Sequence, residues 1–132
     1  MSAFRNNDGF TLIEFAVSVV ILSVGLLGLL QAVNLAISSN LTNTMRNEAT
    51  VVADEQLSTR IAAISTSDAA PFTASPANLN VSRKIYNGFK NYSVARAETV
   101  TGNNSMEINV TVSWVHKNSR YTHNASSVVS KR

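Results

Sequence analysis

Apolar residues are concentrated near the start of the chain. From Phe15 to Ile37 no residue is charged, and this run of 23 residues corresponds to about 35 Å of helix, enough to cross a bilayer core of about 30 Å. Four polar residues interrupt it: Ser18, Ser23, Gln31 and Asn34. The run is longer than the apolar core of a secretory signal peptide, so we predict a transmembrane helix over residues 10–37.

The pattern then changes to an amphipathic one. Apolar residues recur at steps of mostly three or four, as expected for one buried face of a helix: Ile37, Leu41, Met45, Glu48 or Ala49, Val52, Leu57, Ile61 and Ile64. Neither proline nor glycine occurs between Leu29 and Ala70. We therefore predict one helix from about Thr11 to Ile64, roughly 80 Å long, whose amphipathic part covers residues 38–64.

A loop and a sheet follow the helix. Residues 65–80 contain Pro71, Pro76 and many small polar residues, which indicates a loop. Over residues 106–114 apolar and polar residues alternate strictly, which predicts a half-buried antiparallel strand. Turn-like segments flank this strand, its expected partners are residues 89–100 and 120–129, and Asn87–Gly88 indicates one more turn. The predicted fold class is α+β, with the amphipathic half of the helix packed on a sheet domain over residues 81–132.

Charge is distributed unequally along the chain. The total is +3, but residues 31–68 carry −2 and residues 81–132 carry +6. A basic domain favours nucleic acid or another acidic partner, although these cations are scattered and a merely solvated surface is the simpler interpretation. The chain has no cysteine, which excludes disulfides and thiolate metal sites.

One carboxylate, Glu14, directly precedes the apolar run. A charge inside a membrane helix costs about 2.5–3.5 kcal/mol on insertion scales, so Glu14 is expected to have a compensating partner. In the first turn of a helix, unpaired backbone N–H groups and the positive end of the helix dipole favour a carboxylate. The simplest alternative is a hydrated side chain at the membrane surface.

The segment GFTLIE (Gly9–Glu14), followed by the apolar helix, resembles the signal of type IV prepilins and of the related type II secretion pseudopilins. The continuation VVILSVGLLGLLQA (Val19–Ala32) and the strand INVTVSWVHK (Ile108–Lys117) are similar to minor pilins of the PilV type. The resemblance implies a pilin-like lollipop, with a long N-terminal helix and a small antiparallel sheet as its head.

The resemblance also implies a maturation step. Residues 1–9 would be a leader, cut between Gly9 and Phe10 by a prepilin peptidase, and Phe10 would be N-methylated. Glu14 would be needed for docking into a growing filament. Phe10 and Glu14 are i and i+4, so the new ammonium of Phe10 and the Glu14 carboxylate would pair within one subunit or between neighbours. The pair between neighbours would set the register of the subunits.

Three departures from the family pattern favour a minor subunit. Asp8 precedes Gly9, where a basic residue is common; Gln31 replaces a helix-kinking proline; and the two-cysteine loop of many major pilins is absent. Gly25 and Gly28 are the expected points of helix flexibility, or else small-residue contacts with other helices.

The remaining candidate chemistry is sparse. His116 and His123 flank a turn, but without a carboxylate or thiolate nearby they make a poor metal site. Trp114 is expected in the core of the sheet, with a stacking platform for DNA or sugar as the alternative. We predict no enzyme, no cofactor and no metal.

Three functions follow from these observations. The first is a minor type IV pilin, anchored once in the bacterial inner membrane with a periplasmic C-terminal domain and carried into an extracellular pilus on assembly. Its partners would be other pilin subunits, the prepilin peptidase and methyltransferase, the inner-membrane assembly platform, and membrane lipid before assembly. The alternatives are a minor pseudopilin of a type II secretion system, and a single-pass anchored periplasmic binding protein whose basic domain grips nucleic acid or an acidic polymer.

Overall fold

The computed structural model describes residues 10–66, 72–102 and 104–130. A single long helix, α1 (Leu12–Thr66), precedes four strands. The strands are β1 (Ala77–Ile85), β2 (Gly88–Thr101), β3 (Ser105–His116) and β4 (Ser119–Ser130). The predicted α+β fold class, with one long N-terminal helix followed by an antiparallel sheet, is confirmed, and the predicted helix limits are within two residues of those observed.

The chain divides into two compact units, one ending at Asn40 and one beginning at Leu41. In the first unit, every described residue up to Ile37 is exposed. Its most apolar stretch has a mean hydropathy of 2.4 over 18 residues, none of it buried, so by length and composition α1 can cross a membrane. The hydroxyls of Ser18 and Ser23 donate to the carbonyls of Glu14 and Val19, both at 2.7 Å, which satisfies these polar groups inside the helix.

The second unit, which we call the head unit, consists of residues 41–130 as described. Its sheet is an antiparallel meander with the strand order β1-β2-β3-β4. Strict alternation buries one face of β3, which confirms the sequence pattern. The core joins that face to α1, and its buried members are Met45, Ala49, Val52, Ala53, Leu57, Ile64, Phe72, Ile85, Tyr92, Val94, Met106, Ile108, Val110, Val112 and Trp114.

The buried stripe of α1 differs from the predicted one in detail. At the ambiguous position Ala49 is buried, and Ala53 joins it although the pattern did not select it. Ile37 is 61% exposed, so the stripe begins later than predicted. Two adjacent buried positions, Val52 and Ala53, widen the stripe, as expected where a helix lies on a sheet rather than against one other helix.

The boundaries of the first hairpin also differ from the prediction. β1 begins at Ala77, so the predicted loop over residues 65–80 is shorter on the sheet side, and Pro71 lies outside the described residues. The turn residues are Tyr86 and Asn87, whereas Gly88 already pairs with Ile85. The sequence pattern favoured Asn87–Gly88 because bulky residues seldom adopt a positive φ, yet Tyr86 has φ of 51°.

The outer face of the sheet is covered by amide and hydroxyl side chains. Each of the two hairpins places Asn opposite Ser or Thr twice, because an Asn-X-Ser/Thr triplet puts both residues on one face of a strand. The four facing pairs are Asn80 with Ser93, Ser82 with Asn91, Asn109 with Ser126, and Thr111 with Asn124. The Ser93 hydroxyl donates to Asn80 Oδ1 at 3.0 Å, so at least one pair is bonded directly.

Candidate functional site at the start of the helix

The first turn of α1 is held by a reciprocal cap. The backbone N–H and the hydroxyl of Thr11 both donate to Glu14 Oε2 at 2.8 Å, and the Glu14 N–H donates to Thr11 Oγ1 at 3.3 Å. This is a capping box, in which Thr at the N-cap and Glu three residues later satisfy each other's backbone. The sequence carried the signal, Thr-X-X-Glu, but the sequence analysis did not use it.

The cap supplies a hydrogen-bonding partner for Glu14 within the chain. The predicted partner was the ammonium of Phe10, whereas here the partner is Thr11, and Phe10 precedes the helix. Within the described chain both bonds from Thr11 reach Oε2, so Oε1 is available to another donor. The pairing of Glu14 with the Phe10 ammonium therefore stays a prediction for the processed chain.

Phe10 and Glu14 nevertheless lie on the same side of the helix start. Together with Ile13, Val17 and Ser18 they line one shallow, mostly apolar depression. A carboxylate at the edge of such a surface is suited to receive a cation, because an apolar surrounding strengthens the attraction between opposite charges. Gly9, the residue before the expected cleavage point, lies outside the described residues.

Gly25 and Gly28 stand in the exposed, apolar part of α1. The helix continues through both positions, and a Cβ built on either would meet no atom within 4 Å. No contact with the described residues therefore requires glycine there. Their predicted roles, helix flexibility or contact with helices of other subunits, stay predictions.

Trp114 is a core residue, as the sequence predicted. It is 4% exposed, stacks on Tyr121 with ring centroids 5.6 Å apart, and lies 5.8 Å from the ring of Tyr92. The Tyr92 hydroxyl donates to the Met45 carbonyl at 3.1 Å. Burial first, and the Glu48 carboxylate second, raise the pKa of Tyr92 to about 12, so this phenol keeps its proton. A buried ring is not available as a stacking platform.

The two histidines do not face each other in the hairpin. His116 is opposite Ser119 and His123 is opposite Val112. Among the residues that the structure describes, no group of three or more His, Asp or Glu side chains is placed to hold a metal ion.

The head unit contains an ion cluster that the sequence analysis missed. Glu98, whose side chain is 0% exposed, accepts bonds from Arg60 at 2.7 and 2.9 Å, and Arg96 Nε lies 2.9 Å from Glu98 Oε1. The Ser75 backbone N–H donates to Glu98 at 2.6 Å, Arg60 donates to the Thr73 carbonyl, and Arg96 donates to the Ser75 carbonyl. The cluster thus ties α1, β2 and the segment between helix and sheet together.

The surroundings of Glu98 favour its charged form. Burial alone raises the pKa of a carboxyl group, but the bonds from Arg60 and the Ser75 N–H, with the charges of both arginines, outweigh it and hold the pKa of Glu98 below its ordinary value. The cluster is structural, because all its described bonds are internal to the head unit.

Comparison with known proteins identifies the N-terminal segment. Residues 4–30 match the prokaryotic N-terminal methylation motif. No curated protein and no solved structure matches the chain. The matched segment contains the capped helix start and most of the exposed apolar run, and an apolar helix in this position fits a membrane-anchored, single-pass protein. The match supports a type IV pilin-like prepilin family for this chain.

Proposed function

We propose that this protein is a minor type IV pilin of the PilV type, a structural subunit that joins a type IV pilus or primes its assembly. The observation that carries the proposal is the methylation motif over residues 4–30. The motif includes the start of α1, whose large apolar side chains are exposed in this part of the chain. Proteins with this motif are in general structural and non-catalytic.

Maturation would begin at the cytoplasmic face of the inner membrane. A prepilin peptidase cuts between Gly9 and Phe10, which leaves 123 of the 132 residues, and the new amino group of Phe10 is methylated. The subunit then waits in the lipid bilayer, with its head unit in the periplasm, until the assembly platform adds it to the growing pilus.

The exposed surface of α1 supports assembly with other pilin subunits. Large apolar side chains are exposed along the whole first unit, from Phe10 at 79% to Ile37 at 61%. Soluble monomers rarely expose a patch of this extent. Lipid covers it before assembly, and the helices of neighbouring subunits cover it in the filament core.

Glu14 would guide docking through its charge. Oε2 is held by Thr11, which fixes the direction of the carboxylate, and Oε1 can accept a bond from the methylated ammonium of a neighbouring Phe10. In a filament core with little water, a charge without its partner is costly, so only the register that forms the pair is stable.

Two substitutions separate the charge of Glu14 from its capping bonds. Glu14→Gln keeps an acceptor for Thr11, because Gln also completes a capping box, but removes the charge. Glu14→Val removes both. We expect both variants to be cleaved normally and to be absent from sheared pili, as measured by immunoblotting of pilus and membrane fractions. Normal incorporation of Glu14→Gln would mean that Glu14 acts only as a helix cap.

The runner-up is a minor pseudopilin of a type II secretion system, because the same N-terminal motif serves both assemblies. Partners that co-purify with the mature chain distinguish the two: pilus subunits support the first function and secretion-system pseudopilins the second. A single-pass anchored periplasmic binding protein is the third candidate, favoured by the basic sheet region, and it predicts that the chain is not cut after Gly9.

A further inference from the structure

The two hairpins of the head unit separate at one end of the sheet. The β2–β3 ladder begins at Ser93 opposite Ser113 and runs to Thr101 opposite Ser105. Each hairpin continues beyond that point, β1–β2 as far as Gly88 and β3–β4 as far as Ser119. The Ser113 hydroxyl donates to the Ser93 carbonyl at 3.4 Å, at the last pair before the separation. The facing backbones of residues 88–92 and 114–116 are therefore not joined in the ladder.

A cleft of about 310 Å³ occupies this fork. Its lining combines three kinds of side chain: the cations Lys90 and Arg120, the neutral polar residues Asn91, Ser93 and Ser113, and the aromatic ring of Phe89. Phe89 is 77% exposed, so its ring is accessible to a bound molecule. The volume is in the range of small-molecule sites.

Trp114 also lines the cleft, although only 4% of this residue is exposed. Its indole ring is therefore placed to report a molecule bound in the fork through a change in fluorescence.

The charged residues that line the cleft, Lys90 and Arg120, are both cations, and its described lining includes no carboxylate. Two cations at one cleft match one anionic group, and an arginine binds a carboxylate through two parallel bonds. The neutral amide and hydroxyls suit several ligand hydroxyls, and an exposed ring suits a flat apolar face.

We propose that the cleft binds an acidic sugar, a hexuronate unit of a polysaccharide. A sugar acid offers three matching features in one small unit: a carboxylate for Arg120 and Lys90, hydroxyls for Asn91 and the two serines, and an apolar ring face for Phe89. A nucleic acid strand carries one charge per nucleotide and would need a longer row of cations. The proposal goes beyond a role in filament assembly and does not depend on cleavage after Gly9.

The single tryptophan of the chain makes the test direct. The full-length chain in detergent micelles is titrated with oligogalacturonate while the fluorescence of Trp114 is followed. Two probes serve as comparisons: the fully methyl-esterified oligosaccharide, which lacks the charge, and a single-stranded oligodeoxynucleotide. We expect a saturable change with oligogalacturonate, binding of the ester weaker by about tenfold or more, and no saturable change with the oligonucleotide.

Matched variants localise the binding. Arg120→Gln removes a cation from the cleft, whereas Arg46→Gln removes the same charge from the opposite, helix-covered side, where Arg46 lies over the Tyr121 ring. Arg120→Gln is expected to raise the dissociation constant about tenfold, and Arg46→Gln is expected to raise it less than about twofold. Phe89→Leu, at a position that is 77% exposed, should weaken binding several-fold.

Three results would overturn the proposal. The first is the absence of a saturable fluorescence change with oligogalacturonate. The second is an equal loss of affinity for oligogalacturonate in Arg120→Gln and Arg46→Gln, and the third is tighter binding of the oligonucleotide than of the sugar. The last two would mean that the basic surface attracts polyanions without a built site.

Discussion

A single buried carboxylate, Glu98, organises much of the head unit. Two arginines and one backbone N–H converge on it, and the arginines in turn hold two carbonyls of the segment that connects helix and sheet. Arg60 and Glu98 are 38 residues apart in sequence. Such a pair depends on the register of β2 and on the end of the helix, so no local sequence pattern predicts it.

Removal of the Glu98 carboxylate should destabilise the head unit strongly. Glu98→Ala leaves Arg60 and Arg96 largely buried without their partner, and breaking a buried pair in this way typically costs about 3–5 kcal/mol. Glu55→Ala is the matched control, because Glu55 pairs with Arg83 at a surface site where the side chains are 54% and 31% exposed. Exposed pairs contribute about 0–1 kcal/mol.

Urea unfolding of the full-length chain in micelles, followed by Trp114 fluorescence, measures both variants. Equal unfolding midpoints for Glu98→Ala and Glu55→Ala would show that the Glu98 cluster contributes no more than a surface pair.

The same cluster predicts how stability depends on pH. The pKa of Glu98 is lower in the folded protein than its ordinary value of 4.5. The unfolded chain therefore binds the proton first, so the stabilisation is complete above pH 4.5 and is lost as the pH falls through the folded pKa. As the pH falls below 4.5, the urea midpoint of Glu98→Gln should therefore decrease less steeply than that of the unsubstituted protein. An unchanged slope would assign the acid sensitivity to other carboxylates.

The helix start illustrates what residue-level sequence reasoning does and does not achieve. The position of Glu14 indicated a partner, and the Thr-X-X-Glu spacing was sufficient to name Thr11, since a capping box is a local interaction. The charge suggested a distant partner instead, and the nearer neutral donor was overlooked.

At the scale of elements, α1 meets the sheet through small side chains. Ala49, Val52 and Ala53 are each 0% exposed, so these small side chains are completely covered where α1 packs on the buried face of the sheet. The periodicity of the sequence located this face because apolar spacing records burial directly. It could not fix how closely the elements approach, since that depends on the side chains of both partners.

A larger residue at this contact should be costly. Ala53→Leu forces three extra carbon atoms into a packed core, and overpacking typically costs about 1–3 kcal/mol. Ala62→Leu is the matched control, because Ala62 is exposed on the same helix. Thermal unfolding, followed by circular dichroism, should give a lower midpoint temperature for Ala53→Leu and an almost unchanged midpoint temperature for Ala62→Leu. Similar midpoints would mean that the core has room that the structure does not show.

The strands were predicted best where apolar and polar residues alternate most regularly. β3 was identified from strict alternation, because one of its faces is buried and the other is not. The start of β1 was missed because Asn78 and Asn80 lie on the polar outer face of an edge strand and resemble a loop in sequence. The first turn was misplaced by one residue because Tyr86, not glycine, adopts the positive φ.

At the scale of the whole molecule, the chain contains two units suited to different surroundings. The first is an apolar helix whose described residues are all exposed up to Ile37, and the second is a small α+β unit with its own core and a polar outer face. Composition predicted this division, since the charged residues and the long apolar run occupy different parts of the sequence. For partners and assembly, the methylation motif and the exposed apolar surface of α1 are the observations from which we argue.

The central claim is that the chain is a prepilin that is cut and methylated before it works. It is tested most directly by intact mass measurement and N-terminal sequencing of the protein extracted from the membranes of its own host. The account predicts a chain that begins at Phe10 and carries one added methyl group. A chain that still begins at Met1 would contradict it, because no free ammonium would exist at Phe10 to pair with Glu14, and the protein would then be a permanent membrane anchor for its head unit.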